Sequence, residues 1–342
     1  MWNSLKRAAL LLAGAAGLAA GSAQAGPTLD AVKTRGTLVC GIHAGVAGFA
    51  LPDSRGVWQG LDVELCRGLA AAIFNDPAKV RFVPLSASQR FTALGSGEID
   101  VLIRTSTMTM LRDTTLGIRH VATYFYDGHG FMVKRDSGIT RARDMNGASI
   151  CLVQGTTNEQ VTADYFRSVN VPFRPVVFER NDQVAAAITA GRCDAYGHDA
   201  SQLAAVRSTL GNPRDWVILE ESFSKEPYGA YVRRGDEDWF ELVRWYTYAV
   251  IEAEEQGVTR ANAEELRRTT QSPNMRRLLG ATPELGQALK LDPAWALNVI
   301  RSIGNYGELY DRHFGPATPI AMPRGQNRLW TQGGLMYALP MR

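Results

Sequence analysis

Short apolar segments alternate with amphipathic helical segments twice along this chain, and this alternation restricts the fold more than any other feature. In the first half, apolar residues recur every four positions across 61–73, which is the spacing of a helix. Strands are predicted at 38–42, 80–83 and 99–103, with a second helix at 88–94. Strands and helices that alternate at these lengths form parallel sheets. The sequence therefore predicts an α/β protein.

The same order of segments returns in the second half of the chain. Strands are predicted at 149–153, 176–178 and 193–196, and helices at 155–169 and 181–190. The repetition predicts two similar lobes, and the length of 342 residues suits two domains. Extended segments at 124–133 and 228–232 would connect the lobes, and a mainly helical region follows from residue 235.

Residues 1–25 have the pattern of a secretory signal peptide. Lys6 and Arg7 precede an apolar run, and Ala23-Gln24-Ala25 is a small-x-small cleavage site. An uncleaved membrane anchor is the alternative, but glycines interrupt the short apolar run. A cleaved signal predicts a periplasmic or secreted protein.

Composition and motifs exclude several classes of function. The formal charge of +3 gives no electrostatic case for nucleic acid or for a membrane surface. The five histidines are scattered without metal-ligand spacing, so no metal site is expected. The chain has no P-loop, no dinucleotide-binding fingerprint and no G-x-S-x-G or H-E-x-x-H motif. No cofactor is predicted.

The four cysteines are Cys40, Cys66, Cys151 and Cys193, without a C-x-x-C pair. This makes zinc and thioredoxin-like sites poor explanations. In an oxidising compartment such cysteines form disulfides. Three pairings are possible, and the spacing alone does not choose among them.

Polar residues are concentrated where the predicted strands end, and ligands of open α/β sheets bind at the carboxyl ends of the strands. These ends carry Thr105, Thr107 and Arg112 in the first lobe, and Thr157 and Asp199 in the second. Arg112 would bind a carboxylate through its planar fork. The helix that begins near Thr157 would add N–H donors, and Asp199 would accept from an ammonium group. The set fits an amino-acid zwitterion.

These residues also have purely structural explanations. Thr156-x-x-Glu159 matches a capping box, and Asp199 precedes a helix as an N-cap does. Arg112 could pair with its neighbour Asp113 on the surface. The residues alone leave both explanations open.

Segments from nearly the whole chain are shared with a known family. They are TLDAVKTRGTLVCGIHAGVAGFA, WQGLDVELCRGLAAAIF, RFTALGSGEIDVLIRTST, YFYDGHGFMV, QGTTNE, GRCDAYGHDASQL, SKEPYGAYVRRGD and RGQNRLWTQGGLMYA. With them the chain resembles the periplasmic substrate-binding proteins of polar amino-acid ABC importers (solute-binding protein family 3). The similarity is greatest to the general L-amino-acid-binding branch.

The resemblance implies a two-lobe, type II periplasmic-binding-protein fold, in which each lobe is a mainly parallel sheet flanked by helices. The expected limits are 1–25 for the signal peptide, 26–126 for the first segment of lobe 1, 127–229 for lobe 2, and 230–342 for the second segment of lobe 1 with a C-terminal extension. The implied function is capture of L-amino acids in the periplasm by lobe closure and delivery to an inner-membrane ABC permease. A monomer is expected.

The resemblance also assigns ligand-binding roles by position. The family's Ser/Thr-x-x-x-x-Arg carboxylate motif falls on Thr107 and Arg112, and its Gly-Thr-Thr motif ends on Thr157. The ammonium-binding acid falls on Asp199, and a backbone acceptor for the ammonium falls near Thr105.

Met108, Gly197 and His198 depart from the general-binder pattern, which has Trp at the first position and Thr at the other two. They are the selectivity candidates, because the other ligand residues contact groups that all α-amino acids share. Met108 and Gly197 would make the pocket softer or larger. His198 would favour an acidic or hydrogen-bonding ligand side chain. Several amino acids are therefore expected to bind.

Within this fold, the cysteine pairing follows from topology. Cys40 lies on the first strand and Cys66 on the helix packed beside it. In a sheet of order 2-1-3, the strands that hold Cys151 and Cys193 are neighbours. The predicted disulfides are Cys40–Cys66 and Cys151–Cys193, one in each lobe.

Two other functions are compatible with the same architecture. A sensor subunit that presents its ligand to a receptor would have the same binding surface. A dehydratase-like enzyme would need a cleft acid placed to protonate a leaving group. Asp199 and Glu159 are poor candidates for that acid, so no enzymatic activity is expected.

Overall fold

The computed structural model describes residues 28–342, so the predicted signal peptide at 1–25 lies outside the described residues. The strands are β1 (Leu38–His43), β2 (Leu51–Pro52), β3 (Trp58–Gln59), β4 (Val80–Leu85), β5 (Val101–Thr107), β6 (Ile118–Asp127), β7 (His129–Lys134), β8 (Ser149–Val153), β9 (Arg174–Phe178), β10 (Ala195–Asp199), β11 (Trp216–Ile218) and β12 (Glu226–Arg233). The α-helices are α1 (Thr28–Arg35), α2 (Leu61–Phe74), α3 (Arg90–Ser96), α4 (Met110–Thr115), α5 (Thr157–Ser168), α6 (Asn181–Thr189), α7 (Ala200–Thr209), α8 (Glu237–Glu255), α9 (Ala263–Thr269), α10 (Pro273–Leu278), α11 (Glu284–Ala288), α12 (Trp295–Ile303) and α13 (Tyr306–His313).

In the described part of the chain, ten strands form two five-stranded sheets with the same arrangement. The first has the order β4-β1-β5-β12-β6 and the second β9-β8-β10-β7-β11. Three neighbouring strands of each sheet are parallel, β4-β1-β5 in the first and β9-β8-β10 in the second. Numbered by their order along the chain, both sets have the order 2-1-3. An antiparallel strand, β12 or β7, lies next to the third. The prediction of two similar α/β lobes is confirmed.

Both faces of each sheet are covered, which explains the continuous apolar runs of the parallel strands. All six residues of β1 are buried, with Cys40 and Ile42 on one face and Val39 on the other. In the second sheet, Cys151 and Leu152 of β8 belong to clusters on opposite faces. Successive side chains alternate between faces, so each strand joins two clusters.

Helix α2 packs tightly in the first lobe because it carries Gly68 at the contact. A Cβ at Gly68 would lie 2.4 Å from Ile303 Cδ1 and 2.5 Å from the Tyr246 hydroxyl oxygen. The Tyr246 hydroxyl donates to the Leu65 carbonyl at 2.6 Å and joins α8 to α2. No helix within residues 28–342 combines the length and the apolar composition that crossing a bilayer requires.

The third parallel strand of each lobe begins and ends later than the sequence predicts. The expected strands at 99–103 and 193–196 are Val101–Thr107 and Ala195–Asp199. Thr107 and Asp199 are buried polar residues at the ends of these strands. The predicted limits followed the apolar runs and therefore ended too early. The longer strands place polar side chains at the carboxyl edges of both sheets.

The chain crosses between the sheets twice, and the two crossings pass close to each other. Strand β6 ends in the first sheet and β7 begins in the second, with Gly128 between them. A Cβ at Gly128 would lie 2.3 Å from Ser222 Oγ and 2.9 Å from the Ser224 carbonyl oxygen. Ser222 and Ser224 belong to the second crossing, so glycine is required at this contact.

The return strand β12 belongs wholly to the first sheet, from Glu226 to Arg233. It runs without a break through the predicted limit at 229/230. The predicted domain limits stay a prediction, although the sheet changes at Gly128 and at 219–225 lie near them.

The structure confirms both predicted disulfides. The Cα atoms of Cys40 and Cys66 are 6.1 Å apart, and those of Cys151 and Cys193 are 5.7 Å apart. The first bridge joins β1 to α2, and the second joins β8 to the residue two positions before β10. Each bridge therefore lies within one lobe.

The C-terminal segment covers an edge of the first sheet. Asn327 accepts a hydrogen bond from the Tyr126 N–H at 2.7 Å and donates to the Tyr126 carbonyl at 2.9 Å. Leu329 and Met336 are buried in the large apolar cluster of the first lobe. The side chain of Asn327 thus forms hydrogen bonds with backbone groups of edge strand β6 that would otherwise be unpaired.

Candidate functional site

A cavity lies where the carboxyl ends of the parallel strands of both lobes meet. The cavity is narrow: the centre of a water molecule can occupy about 20 Å³ of it. The residues that line it are His43, Ala87, Arg90, Arg104, Thr105, Thr107, Arg112, Val153, Thr156, Thr157, Asn158, Asn181, His198 and Asp199. All five residues predicted to bind ligand are in this set.

Arg112 is positioned by the short helix α4. Thr109 caps this helix by accepting from the Arg112 N–H at 3.2 Å. The Arg112 guanidinium donates through Nη1 to the Thr107 carbonyl at 3.0 Å, and burial lowers its pKa. Asp113 lies instead 3.8 Å from Arg234. The explanation of Arg112 as half of a surface pair with Asp113 is therefore wrong.

Asp199 occupies the N-cap position of α7, but its side chain makes no capping hydrogen bond. Its carboxylate is 3% exposed, and Oδ2 accepts from the Tyr228 hydroxyl. The other oxygen, Oδ1, is buried without a hydrogen-bond partner among residues 28–342. Burial raises the pKa of Asp199, but the neighbouring imidazole of His198 and the Tyr228 hydroxyl outweigh it and hold the pKa below its usual range. This ionised carboxylate therefore has one oxygen left to accept a hydrogen bond.

Glu226 is one of the residues near the cavity that sequence reasoning missed. Its Oε2 accepts from the Thr107 hydroxyl at 2.6 Å and from the Thr157 hydroxyl at 2.8 Å. Burial and the nearby charge of Asp199 raise the pKa of Glu226. A glutamate before a proline at the start of a strand gave no sign of this role, because its two partners lie far away in the sequence.

The beginning of α5 faces the cavity. Thr156 is at the N-cap, but its hydroxyl donates backwards to the Val153 carbonyl at 2.7 Å. Glu159 accepts from the Gly155 N–H at 2.7 Å, so the expected reciprocal capping box does not form. The first N–H groups of a helix lack partners within it, and Thr157 and Asn158 of the first turn line the cavity.

Thr105 has a backbone conformation that is rare for a residue with a side chain. Its φ is 25°, in the region that costs about 1–3 kcal/mol and persists only where the surroundings hold it. Its N–H donates to the Tyr124 hydroxyl oxygen at 3.0 Å, and Tyr124 in turn donates to Asp62 at 2.8 Å. Tyr124 and Asp62 therefore hold Thr105 at the cavity wall.

The three selectivity candidates have different positions. His198 lines the cavity, and its Nδ1 accepts from the Asp199 N–H at 2.8 Å. Met108 is 44% exposed and does not line the cavity. Gly197 lies within β10, where a Cβ would point at Leu152 and Phe131, 3.0 Å away. Neither Met108 nor Gly197 is among the residues that line the cavity.

Arg90, Arg104 and His43 also line the cavity, and sequence reasoning did not single them out. Arg90 donates to the Ala87 carbonyl at 2.7 Å and, across the lobes, to the Gly155 carbonyl at 3.3 Å. Arg104 donates through Nε to the Leu85 carbonyl at 3.0 Å. Within residues 28–342, no carboxylate forms an ion pair with Arg90, Arg104 or Arg112.

The lobes are in contact around the cavity. Besides the Arg90 contact, the lobes are joined where Glu226 accepts from Thr157 and where Tyr228 donates to Asp199. A Cβ at Gly155 would lie only 3.2 Å from the backbone nitrogen of Ser88. The structure is thus a closed form. No group of three or more His, Cys, Asp or Glu side chains in the described region is arranged to hold a metal ion.

Comparisons with known proteins agree with this architecture. The profile of the bacterial extracellular solute-binding proteins, family 3, matches residues 38–316. The chain is 49% identical over 327 residues, 96% of each protein, to the glutamate/glutamine/aspartate/asparagine-binding protein BztA of Rhodobacter capsulatus.

The chain is also 47% identical over 345 residues, the full length of both proteins, to the general L-amino acid-binding periplasmic protein AapJ of Rhizobium johnstonii. An ABC transporter periplasmic binding protein from Brucella ovis, solved with glutathione bound, matches with a TM-score of 0.90 and 48% identity. That match covers 92% of this chain and 99% of the other. The predicted resemblance and the predicted fold class are confirmed: this chain belongs to the bacterial extracellular solute-binding proteins, family 3.

Proposed function

We propose that this protein captures L-α-amino acids between its two lobes and delivers them to an ABC permease. The observation that carries the proposal is the presence of two opposite charges in one cavity, the half-buried Arg112 and the buried Asp199. Arg112 has guanidinium nitrogens beyond the one that Thr107 occupies, and Asp199 has a buried oxygen without a partner in the described chain. A zwitterion supplies one carboxylate and one ammonium group to this pair.

The chemistry of the cavity supports this orientation. An arginine fork binds a carboxylate through two parallel hydrogen bonds, and the first turn of α5 adds N–H donors and the positive end of the helix dipole. An ammonium group has three donors and suits an acceptor such as Asp199. The names of BztA and AapJ, which describe amino-acid-binding proteins, support the same ligand class.

Closure around the ligand is the proposed mechanism of capture. Arg112 belongs to the first lobe and Asp199 to the second, so a ligand that binds both stabilises the closed form over the open form. We propose lobe limits close to the predicted 126/127 and 229/230, at Gly128 and within 219–225, where the chain leaves one sheet for the other. We also propose export to the periplasm with removal of 1–25, and a monomeric, non-enzymatic role. Presentation of the ligand to a receptor would use the same surface.

A small γ-glutamyl peptide is a second candidate ligand. The Brucella ovis neighbour was solved with glutathione bound, and the γ-glutamyl end of glutathione has a free α-amino and a free α-carboxylate group. An adjoining cavity shares His43, Arg104, Val153 and Asn181 with the first and continues to Ser86 and Arg180. The adjoining cavity does not include Arg112 or Asp199, and we propose that the rest of such a peptide would lie there.

A thermal-shift screen tests the proposal. The purified protein is heated with each common L-amino acid and with glutathione, and ligand at about a hundredfold excess over Kd adds ~2.7 kcal/mol of stability. Arg112→Met should lose ~2–5 kcal/mol of binding free energy, because the ligand carboxylate becomes unpaired. Arg81→Met, on exposed β4, is the matched control and should respond as the wild type does. No shift with any amino acid would refute the proposal.

A further inference from the structure

We propose that Arg104 and His43 form a second anion subsite, which binds the side-chain carboxylate of an acidic amino acid and makes L-glutamate and L-aspartate the preferred ligands. The inference rests on the proposed function, because it assumes that Arg112 and Asp199 hold the α-carboxylate and the ammonium group. It adds the part of the ligand that distinguishes one amino acid from another.

Arg104 presents the free end of its guanidinium group to the cavity. It is 4% exposed, on buried strand β5. Its Nε donates to the Leu85 carbonyl at 3.0 Å, while Nη1 and Nη2 have no hydrogen-bond partner within residues 28–342. These two nitrogens keep a small accessible surface. Since Arg104 lines the cavity, we place that surface inside it. A guanidinium held at Nε with both Nη atoms open is oriented for a carboxylate.

His43 supplies a neutral donor beside Arg104. Its Nδ1 accepts from the Gly45 N–H at 3.0 Å, and burial, together with the charge of Arg104, lowers its pKa well below the usual value. A neutral imidazole that accepts at Nδ1 carries its proton at Nε2. His43 is therefore a hydrogen-bond donor and not an acceptor or a second acid. A side-chain oxygen of the ligand would accept from Arg104 and His43 together.

The surrounding acids do not neutralise Arg104 at contact distance. Asp62 attracts Arg104 most strongly. Its Oδ1 accepts from Tyr124, and its Oδ2 is buried without a partner within residues 28–342 and forms no ion pair with Arg104. Burial raises the pKa of Asp62 to about 7, so this carboxyl is only partly ionised at neutral pH. Glu226 is engaged by two threonines, and Asp199 faces the ammonium position. A carboxylate on the ligand is the anion that the cavity lacks.

The alternative is that Arg104 has only a structural role. Its bond to the Leu85 carbonyl joins β5 to the end of β4, which would be sufficient reason for an arginine there. The two roles predict different patterns across ligands. Loss of a structural role would weaken the binding of every amino acid equally. Loss of the subsite would weaken the binding only of amino acids with a side-chain carboxylate.

Calorimetry with the purified protein decides between them, with L-glutamate, L-glutamine and L-leucine as probes. The wild type should bind glutamate about tenfold to a hundredfold more tightly than leucine, with glutamine between them. Arg104→Met replaces the charged side chain with a long uncharged one. This variant should bind glutamate about tenfold to a hundredfold more weakly than the wild type, and leucine about threefold more weakly or less. Arg81→Met should leave all three affinities unchanged.

Two results would overturn the subsite: equal wild-type affinities for glutamate and leucine, or a parallel loss of both in Arg104→Met. If Arg104→Met does not fold, the wild-type ranking and Arg104→Lys still decide. The lysine variant keeps a point charge without the fork, and should retain a reduced preference for glutamate. Failure of every amino acid to bind the wild type would instead refute the proposed function.

Discussion

Thr107 and Thr157 each have one hydroxyl proton, and both donate it to Glu226. A hydroxyl that donates to Glu226 cannot donate to a ligand carboxylate at the same time. In the proposed mode of binding, the ligand carboxylate would therefore depend on Arg112 and on the N–H groups at the start of α5. Glu226 holds the two threonines, and with them the two lobes, in one arrangement.

Buried acids beneath the site make the stability of the fold depend on pH. Burial raises the pKa of Asp62 from its usual 3.8 to about 7. Between these values the folded protein keeps the proton and the unfolded chain has lost it, so stability falls as pH rises across this window, by up to about 4 kcal/mol. The asparagine of Asp62→Asn still accepts from Tyr124 but cannot ionise. As the pH rises from 4.5 to 7.5, the free energy of unfolding of this variant should fall by about 2–4 kcal/mol less than that of the wild type.

Urea unfolding of both proteins at several pH values measures this difference. Other buried acids with raised pKa values, such as Asp127, are present in both proteins and cancel in the comparison. Parallel curves would show that Asp62 is ionised in the folded protein at neutral pH.

Sequence reasoning found the residues at the ends of predicted strands and missed those that only the fold brings to the cavity. Arg112, Thr157 and Asp199 come within ten residues after a predicted strand, so topology alone places them near one edge. Arg104 directly follows the predicted strand at 99–103 and was overlooked, whereas Glu226 has no such sign. Arg104 lies within β5, and Glu226 contacts Thr107 across 119 positions of sequence.

At the scale of elements, the turn from β8 into α5 carries both the helix start and a contact with the other lobe. Gly155 has a φ of 75°, and a Cβ there would lie 3.2 Å from backbone atoms of Ser88 and 3.3 Å from the Ala87 carbonyl carbon. Backbone atoms cannot rotate away, so a side chain at Gly155 would hold the lobes apart.

Gly155→Ala should therefore weaken ligand binding about tenfold without touching the ligand. Gly191→Ala is the matched control, because Gly191 has a similar φ of 71° but no atom within 4 Å of a Cβ. In both variants alanine adopts a left-handed backbone conformation, which costs about 1–2 kcal/mol of stability. Only in Gly155→Ala does the added Cβ also oppose closure of the lobes. Calorimetry of both variants measures the effect. Equal affinities would show that closure does not require this close approach.

The order of elements was predictable, whereas their limits were less so. Apolar runs identified the parallel strands because both faces of each sheet are covered. The helix predicted at 61–73 matches α2 (Leu61–Phe74) to within one residue, whereas α1 was not predicted. The third strands extend beyond their apolar runs into buried polar residues such as Thr107 and Asp199. Those residues are buried because they face a cavity between lobes, which periodicity cannot show.

At the scale of the whole molecule, the chain crosses between the lobes near Gly128. The lobes also touch around the cavity and along α7, where Ala204 and Ala205 pack into the apolar cluster of the first lobe. Each disulfide lies within one lobe, so neither restrains movement between lobes. A ligand that contacts Arg112 in one lobe and Asp199 in the other couples its own capture to closure. This coupling is the central claim, and it requires both charged ends of the ligand.

Calorimetry with ligands blocked at either end tests that claim most directly. The best-binding L-amino acid from the thermal-shift screen is compared with its N-acetyl derivative and with its α-methyl ester, in the same buffer and with the same protein. Each block removes one charged group and leaves Arg112 or Asp199 buried without it. The account predicts that each derivative binds at least about a hundredfold more weakly, which corresponds to ~2.7 kcal/mol or more. Affinity within about threefold of the parent amino acid for either derivative would contradict it.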